Sequence, residues 1–136
     1  MEDDDENNIN RTIDRCHCNL THFDIARIVY KIFKSQYRYI GKKKWEYLDI
    51  QDNTWKLDNN KKKLKGDIKN IVSDMFLKRS LHWLSLANTY KDINQQIQAN
   101  LMYEKLVFAS YKLKNYNFIS TVIKEAIPFF DIHNDD

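Results

Sequence analysis

Apolar residues recur at spacings of three and four from Asp24 to about Gln36, where Ile25, Ile28, Val29, Ile32 and Phe33 share one side of a helical wheel. Arg27, Lys31 and Lys34 fall on the other sides, so the pattern predicts an amphipathic helix with one buried face. Thr21-x-x-Asp24 just ahead of it has the spacing of a capping box, in which each side chain satisfies the other's free backbone amide.

The period then changes. Tyr37 to Ile40 is rich in β-forming residues and Gly41 interrupts it. From Trp45 to Ile50 the side chains alternate, with Trp45, Tyr47 and Asp49 to one side and Glu46, Leu48 and Ile50 to the other. Gln51-Asp52-Asn53 has the length of a hairpin turn, and Thr54 to Leu57 reads as a further short strand. A sheet of two or three such strands is marginal alone, so it must pack on a helix.

Helical spacing returns after Asp58-Asn59-Asn60. Leu64, Ile68, Ile71, Val72, Met75 and Phe76 predict a second helix over Lys61 to Arg79. Its first turn would hold Lys61, Lys62 and Lys63, unfavourable against the helix dipole, so these lysines are expected partly in the loop. Leu81 to Ala87 is a short apolar piece, helix or turn. A long helix is expected from Asp92 to about Lys112 with Ile93, Ile97, Leu101 and Phe108 inward, and Asn115 caps or interrupts it. A last helix runs from Asn117 to Ala126 through Phe118, Ile119, Val122 and Ile123, closed by Pro128. The expected fold is mainly α (α+β), with about four helices and a small antiparallel hairpin or three-stranded sheet after the first.

Composition fits one domain. The 136 residues are 43% hydrophobic and 30% charged, and the scarcity of Gly (2) and Pro (1) favours long helices with few breaks. Residues 1 to 19 are polar and acidic and read as a flexible tail, leaving a folded unit over 20–134. The net charge of +3 hides an asymmetry. Five acids open the chain and three lie at its end, while all 22 Lys and Arg lie between Arg11 and Lys124. Against the remaining 11 acids, the body carries +11. Such a body favours polyanionic partners and salt-sensitive association, although the same lysines serve equally as a solvated surface. Cys16 and Cys18 are too close for a good structural disulfide, which points to a reducing compartment. No apolar run is long enough for a membrane span, and the acidic start is unlike a secretory signal.

The candidate chemistry is nucleic-acid binding. Lys42, Lys43 and Lys44 adjoin Trp45, and Lys61, Lys62, Lys63 and Lys65 extend a basic track beyond the hairpin; Arg38 lies on the first strand. Lysine meets phosphate as a point charge, so contacts to single-stranded or forked DNA would be mostly non-specific. Trp45 and Trp55 are expected as core pegs between sheet and helix, the alternative being rings free to stack on bases. Cys16-His17-Cys18 with His22 offers ligand types that zinc accepts, but adjacent ligands strain a tetrahedral site and His82 and His133 are remote in sequence. No metal or other cofactor is therefore expected. His22 and Asp24 sit where a helix cap is needed, and no nucleophile with a positioned base can be assembled, so the chain is not expected to be an enzyme by itself.

These residues carry a resemblance. His22-Phe23-Asp24-Ile25-Ala26, then Tyr30, Phe33 and Tyr37, then Trp45 and Trp55 ten residues apart, resembles the domain that precedes the superfamily 3 helicase in poxvirus-type helicase-primases of nucleocytoplasmic large DNA viruses and in phage and plasmid primase-helicases. Tyr111-Lys112-Leu113 through Phe129-Phe130-Asp131 resembles the end of that domain, so the likeness covers about residues 21 to 134. It implies a non-catalytic accessory domain that guides DNA and links primase to a hexameric helicase, in a viral replication site in the host cytoplasm. Its partners would be DNA and the helicase and primase modules of a parent protein. The chain itself has no G-x-x-x-x-G-K-[ST] loop, so it is either a piece of such a protein or a stand-alone relative. The alternative is a protein-interaction or oligomerisation domain, packing on the helicase ring or on copies of itself without touching DNA.

Overall fold

The computed structural model describes residues 2–15 and 21–133. Along the chain run α1 (Glu2–Arg15), α2 (His22–Phe33), β1 (Tyr37–Gly41), β2 (Lys44–Asp49), β3 (Thr54–Leu57), α3 (Lys62–Asp67), α4 (Ser73–Thr89), α5 (Ile93–Lys112) and α6 (Tyr116–Phe130). The fold is mainly helical, with one antiparallel sheet in the order β1-β2-β3.

α2 starts where the capping box predicted. The Asp24 N–H donates to Thr21 Oγ1 at 3.1 Å, and the Thr21 N–H reaches Asp24 Oδ2 at 3.4 Å. Its buried residues Ile25, Ala26, Ile28, Val29 and Phe33 face α6, which contributes Ile119, Val122, Ile123, Ala126 and Phe130. Aromatic contacts seal the edges of this pair: Tyr30 lies 5.1 Å from Phe130 and 5.7 Å from Phe129, and Phe23 lies 5.5 Å from Phe129.

The sheet packs its Tyr37–Tyr39–Trp45–Tyr47 face on this helical pair. Register pairs Tyr37 with Tyr47 and Tyr39 with Trp45, which places the four rings side by side. Trp45 is 1% exposed and meets Phe130 at 5.2 Å. Ile132 N–H donates to the Tyr39 carbonyl at 3.1 Å, so the chain after α6 covers the outer edge of β1.

The second and third helical patterns come out differently from expectation. Lys62 to Thr89 is one uninterrupted helical run, and Leu81 to Ala87 is its interior. A π-helical stretch over Ile68–Val72 interrupts the α geometry, with the Ser73 N–H donating five residues back to Ile68. Its cause lies in the core. Leu64, Ile68, Val72 and Phe76 are all 0% exposed at a strict spacing of four. In an ideal α-helix each step of four turns the face by about 40°, so the row would wind away; the wide turn re-phases it.

Within the stretch expected as a flexible tail, Glu2–Arg15 is helix, and Ile13 is 0% exposed in the main core; residues 16–19 lie outside the described residues. Asp14 accepts two hydrogen bonds from Arg79, at 2.8 and 2.6 Å, and one from the Trp83 indole at 2.9 Å. That three-way contact ties α1 to α4, a link that a run of acids conceals. α6 also outruns its prediction. Pro128 lies in its last turn rather than beyond it, where its missing N–H removes one helix bond and Phe129 and Phe130 hold the end by packing.

The largest correction concerns α5. Ile93, Ile97, Leu101 and Phe108, expected inward, are 71%, 50%, 43% and 60% exposed. The inward row is Ala99, Met102, Leu106, Ala109 and Ser110. α5 packs on α4, whose buried residues are Ser73, Phe76, Ser80 and Ala87. The α4–α5 hairpin thus buries small residues beside Phe76, Met102 and Leu106, and the row of Ile93, Ile97, Leu101 and Phe108 looks outward.

Candidate nucleic-acid interface

Lys42 and Lys43 form the two-residue turn between β1 and β2. Both have positive φ, 54° and 63°, as a type I′ turn requires, and Gly41 ahead of them stands at 94°. Asn or Gly meets this geometry at little cost, whereas each lysine costs about 1 kcal/mol of backbone strain. The Lys43 N–H donates to the Tyr39 hydroxyl at 3.0 Å. Lys42, Lys43 and Lys44 are all exposed.

Asn60 and Lys61 are again left-handed, with φ of 58° and 57°, and Lys61 is the residue that enters α3. The expected conflict between a lysine triplet and a helix start is resolved by a residue further back. Asp58, only 6% exposed, accepts from the Lys63 N–H at 2.9 Å and from the Leu64 N–H at 2.9 Å. Its carboxylate caps α3 and sets a negative charge under the basic first turn.

α3 then divides the predicted lysines. Lys62 and Lys63 line a shallow open groove with Tyr47, Leu57, Asp58, Asn59, Gly66, Asp67 and Asn70. The Lys63 ammonium stands 5.2 Å from the centre of the Tyr47 ring. Inside this groove Tyr37, 2% exposed, donates a short hydrogen bond to Asp67. Burial, then the Asp67 carboxylate, pushes the Tyr37 hydroxyl far above its usual range, so it stays protonated and structural.

Lys61 and Lys65 lie one turn apart and do not line this groove. Lys61 is held below the usual lysine range, first by partial burial and then by the positive fields of Lys65, Lys124 and Lys43. Those four lysines come from the β1–β2 turn, the entry to α3, α3 itself and α6, which packs on α3. Lys124 was absent from the sequence-based candidates. The signal for it existed only in α6 being brought against α3, since its nearest basic neighbour in the chain is Lys114.

Arg38 has another environment. It pairs with Glu46 at 2.7 Å and its guanidinium lies 4.3 Å from the centre of the Trp55 ring. Register places Arg38, Glu46, Leu48 and Trp55 together on the sheet face turned away from the helices. Trp55 is thus not a core peg as Trp45 is: it is partly exposed and covered by Arg38.

His22 and Asp24 serve structure, the one 4.5 Å from the Phe118 ring centre and the other in the capping box. Cys16, His17 and Cys18 lie outside the described residues. Among the described residues, no group of three His, Cys, Asp or Glu is placed to hold a metal ion, and no helix is long and apolar enough to cross a membrane. Set against known proteins, the chain matches no family model and no characterised protein.

Proposed function

We propose that this chain is a non-catalytic accessory domain of a viral DNA replication helicase-primase, guiding DNA and linking primase to motor. The observation that carries the DNA part is the placement of basic residues from separate elements: the exposed turn lysines Lys42, Lys43 and Lys44, Lys61 and Lys65 at the start of α3, and exposed Lys124 on α6, which packs on α3. Like charges gathered at a partly buried position oppose folding, and a polyanion relieves that repulsion by neutralising them. Lys43 and Lys61 also hold left-handed backbone, where Asn or Gly would be less strained. The helicase-primase part rests on the resemblance of residues 21 to 134. The Lys62 and Lys63 groove is a secondary contact in this reading, and Arg38 contributes through the Trp55 face, where a base can stack beside the paired guanidinium.

Fluorescence anisotropy of labelled single-stranded and forked DNA, titrated with salt, tests the reading. Micromolar binding is expected, with log affinity falling against log salt at a slope of about −3 if four phosphates are neutralised. Lys61→Glu/Lys65→Glu/Lys124→Glu should abolish binding, and Lys62→Glu/Lys63→Glu should only weaken it. Absence of binding at low salt, or binding indifferent to the triple substitution, would reject the DNA role.

A further inference from the structure

α5 is apolar on two opposite sides. One row, Ala99, Met102, Leu106 and Ala109, is buried against α4 and the core. The other, Ile93, Ile97, Leu101, Phe108 and Tyr111, is 71%, 50%, 43%, 60% and 71% exposed. At 100° per residue the second row lies diametrically across the helix from the first. Leu77 and Leu81 on α4 are also 41% and 50% exposed. Scattered exposed aliphatics need no explanation, but a row along about five helical turns, broken only at Glu104, does.

We propose that this row is the interface for a second copy of this chain, with the two α5 helices packed antiparallel about a twofold axis near Met102 and Tyr103. A twofold interface must be self-complementary: if one residue meets another, the reverse contact also occurs. The row satisfies this. Ile93 and Tyr111 are equidistant from Met102. Ile97 and Phe108, and likewise Leu101 and Glu104, are centred between Met102 and Tyr103. Antiparallel pairing therefore sets each aliphatic end against an aromatic of the second copy, a large residue into a smaller one at both ends. The same register brings Asp92, flanked by Lys91, alongside the second copy's Lys112 and Lys114, so the ends add little net attraction. It also opposes the two helix dipoles.

Area bounds the strength. With side chains of roughly 150–250 Å² each at these exposures, the row offers on the order of 600 Å² per copy. Two copies then bury on the order of 1,200 Å², the low end of specific interfaces, which indicates a weak and concentration-dependent dimer. Glu104 lies within the row, close to the axis and opposite Leu101, and the Lys112 ammonium stands 4.7 Å from the Phe108 ring centre; both charges limit the affinity. The lysines of the DNA reading lie on the β1–β2 turn, α3 and α6, so the two proposals stand or fall separately.

Sedimentation velocity of the whole chain from about 1 to 500 µM tests this, a range chosen to span the micromolar affinities of small interfaces. A monomer–dimer equilibrium is expected. Ile97→Glu/Phe108→Glu should be monomeric throughout, with a circular dichroism spectrum and melting temperature like those of wild type. Glu104→Leu should tighten the dimer by about tenfold, the scale of burying one more aliphatic side chain. With Cys16 and Cys18 replaced by Ser, an equimolar mixture of chains carrying Ile97→Cys alone and Phe108→Cys alone, oxidised by oxidised glutathione, should give mainly the mixed 97–108 covalent dimer, whereas parallel packing would link each variant to its own kind. A wild type monomeric at every concentration together with no gain from Glu104→Leu, or a dimer that survives Ile97→Glu/Phe108→Glu, would overturn the proposal.

Discussion

The α2–α6 pair and the α4–α5 pair are both two-helix packings, yet they use apolar residues in opposite ways. α2 and α6 each have one apolar face and spend it on each other and on Trp45, with aromatics closing the edges. α4 and α5 bury small residues (Ser73, Ser80, Ala87 and Ala99) together with Phe76, Met102 and Leu106, and leave a second apolar row of α5 outside. The first pair is complete as it stands. The second holds together as a hairpin while keeping an apolar row free, so its bulk is not a measure of its contribution to stability.

Substitutions separate the two regions by size of effect. Trp45→Ala, which empties the junction of sheet, α2 and α6, should cost about 3–5 kcal/mol in urea denaturation. A cost below half that would mean the sheet is not part of the core. Next comes Asp14→Ala, which strips Arg79 and Trp83 of their shared partner and should cost about 1–3 kcal/mol. Hydrogen exchange on α1 should rise along with it; if stability is unchanged, the first helix is not docked. Asp58→Ala removes the cap of α3 and should lower the melting midpoint by the equivalent of about 1–2 kcal/mol.

Smaller effects run the other way. Lys43→Gly relieves a left-handed lysine and should stabilise by about 0.5–1 kcal/mol, while DNA affinity falls. A gain in stability without a loss of affinity would leave the turn lysines outside the interface. Ile97→Gln, on the free face of α5, should change the stability of the dilute monomer by less than about 0.5 kcal/mol. A core-sized loss there would erase the contrast between the two helical pairs.

Legibility followed the range of the interaction. The capping box at Thr21 and Asp24 and the three short strands were readable because their partners lie within a few residues or on the adjoining strand, whereas Asn115, expected to end α5, caps the start of α6. The lysines Lys42, Lys43, Lys44, Lys61, Lys62, Lys63 and Lys65 were readable as a class, but not that Lys62 and Lys63 alone line the groove beside Tyr47. The addition of Lys124 depends on α6 lying against α3. Trp45 and Trp55 looked alike in the chain, and the sheet register assigned one to each face.

By itself the amino-acid sequence determined the helical and extended periods, their local caps and turns, and the basic character of the body. All of these arise from contacts between near neighbours or from charge count. Only the tertiary structure decided which apolar face of α5 is inside. Both faces satisfy a helical period, and the bulkier row is the natural choice until the hairpin is seen to turn Ala99, Met102, Leu106 and Ala109 toward the core. Which face is buried depends on where α4 and the core lie, a contact no near neighbour in the chain reveals. The same non-local reason placed Ile13 in the core, because an acidic helix carries little sign of the one or two side chains that bind it to the rest.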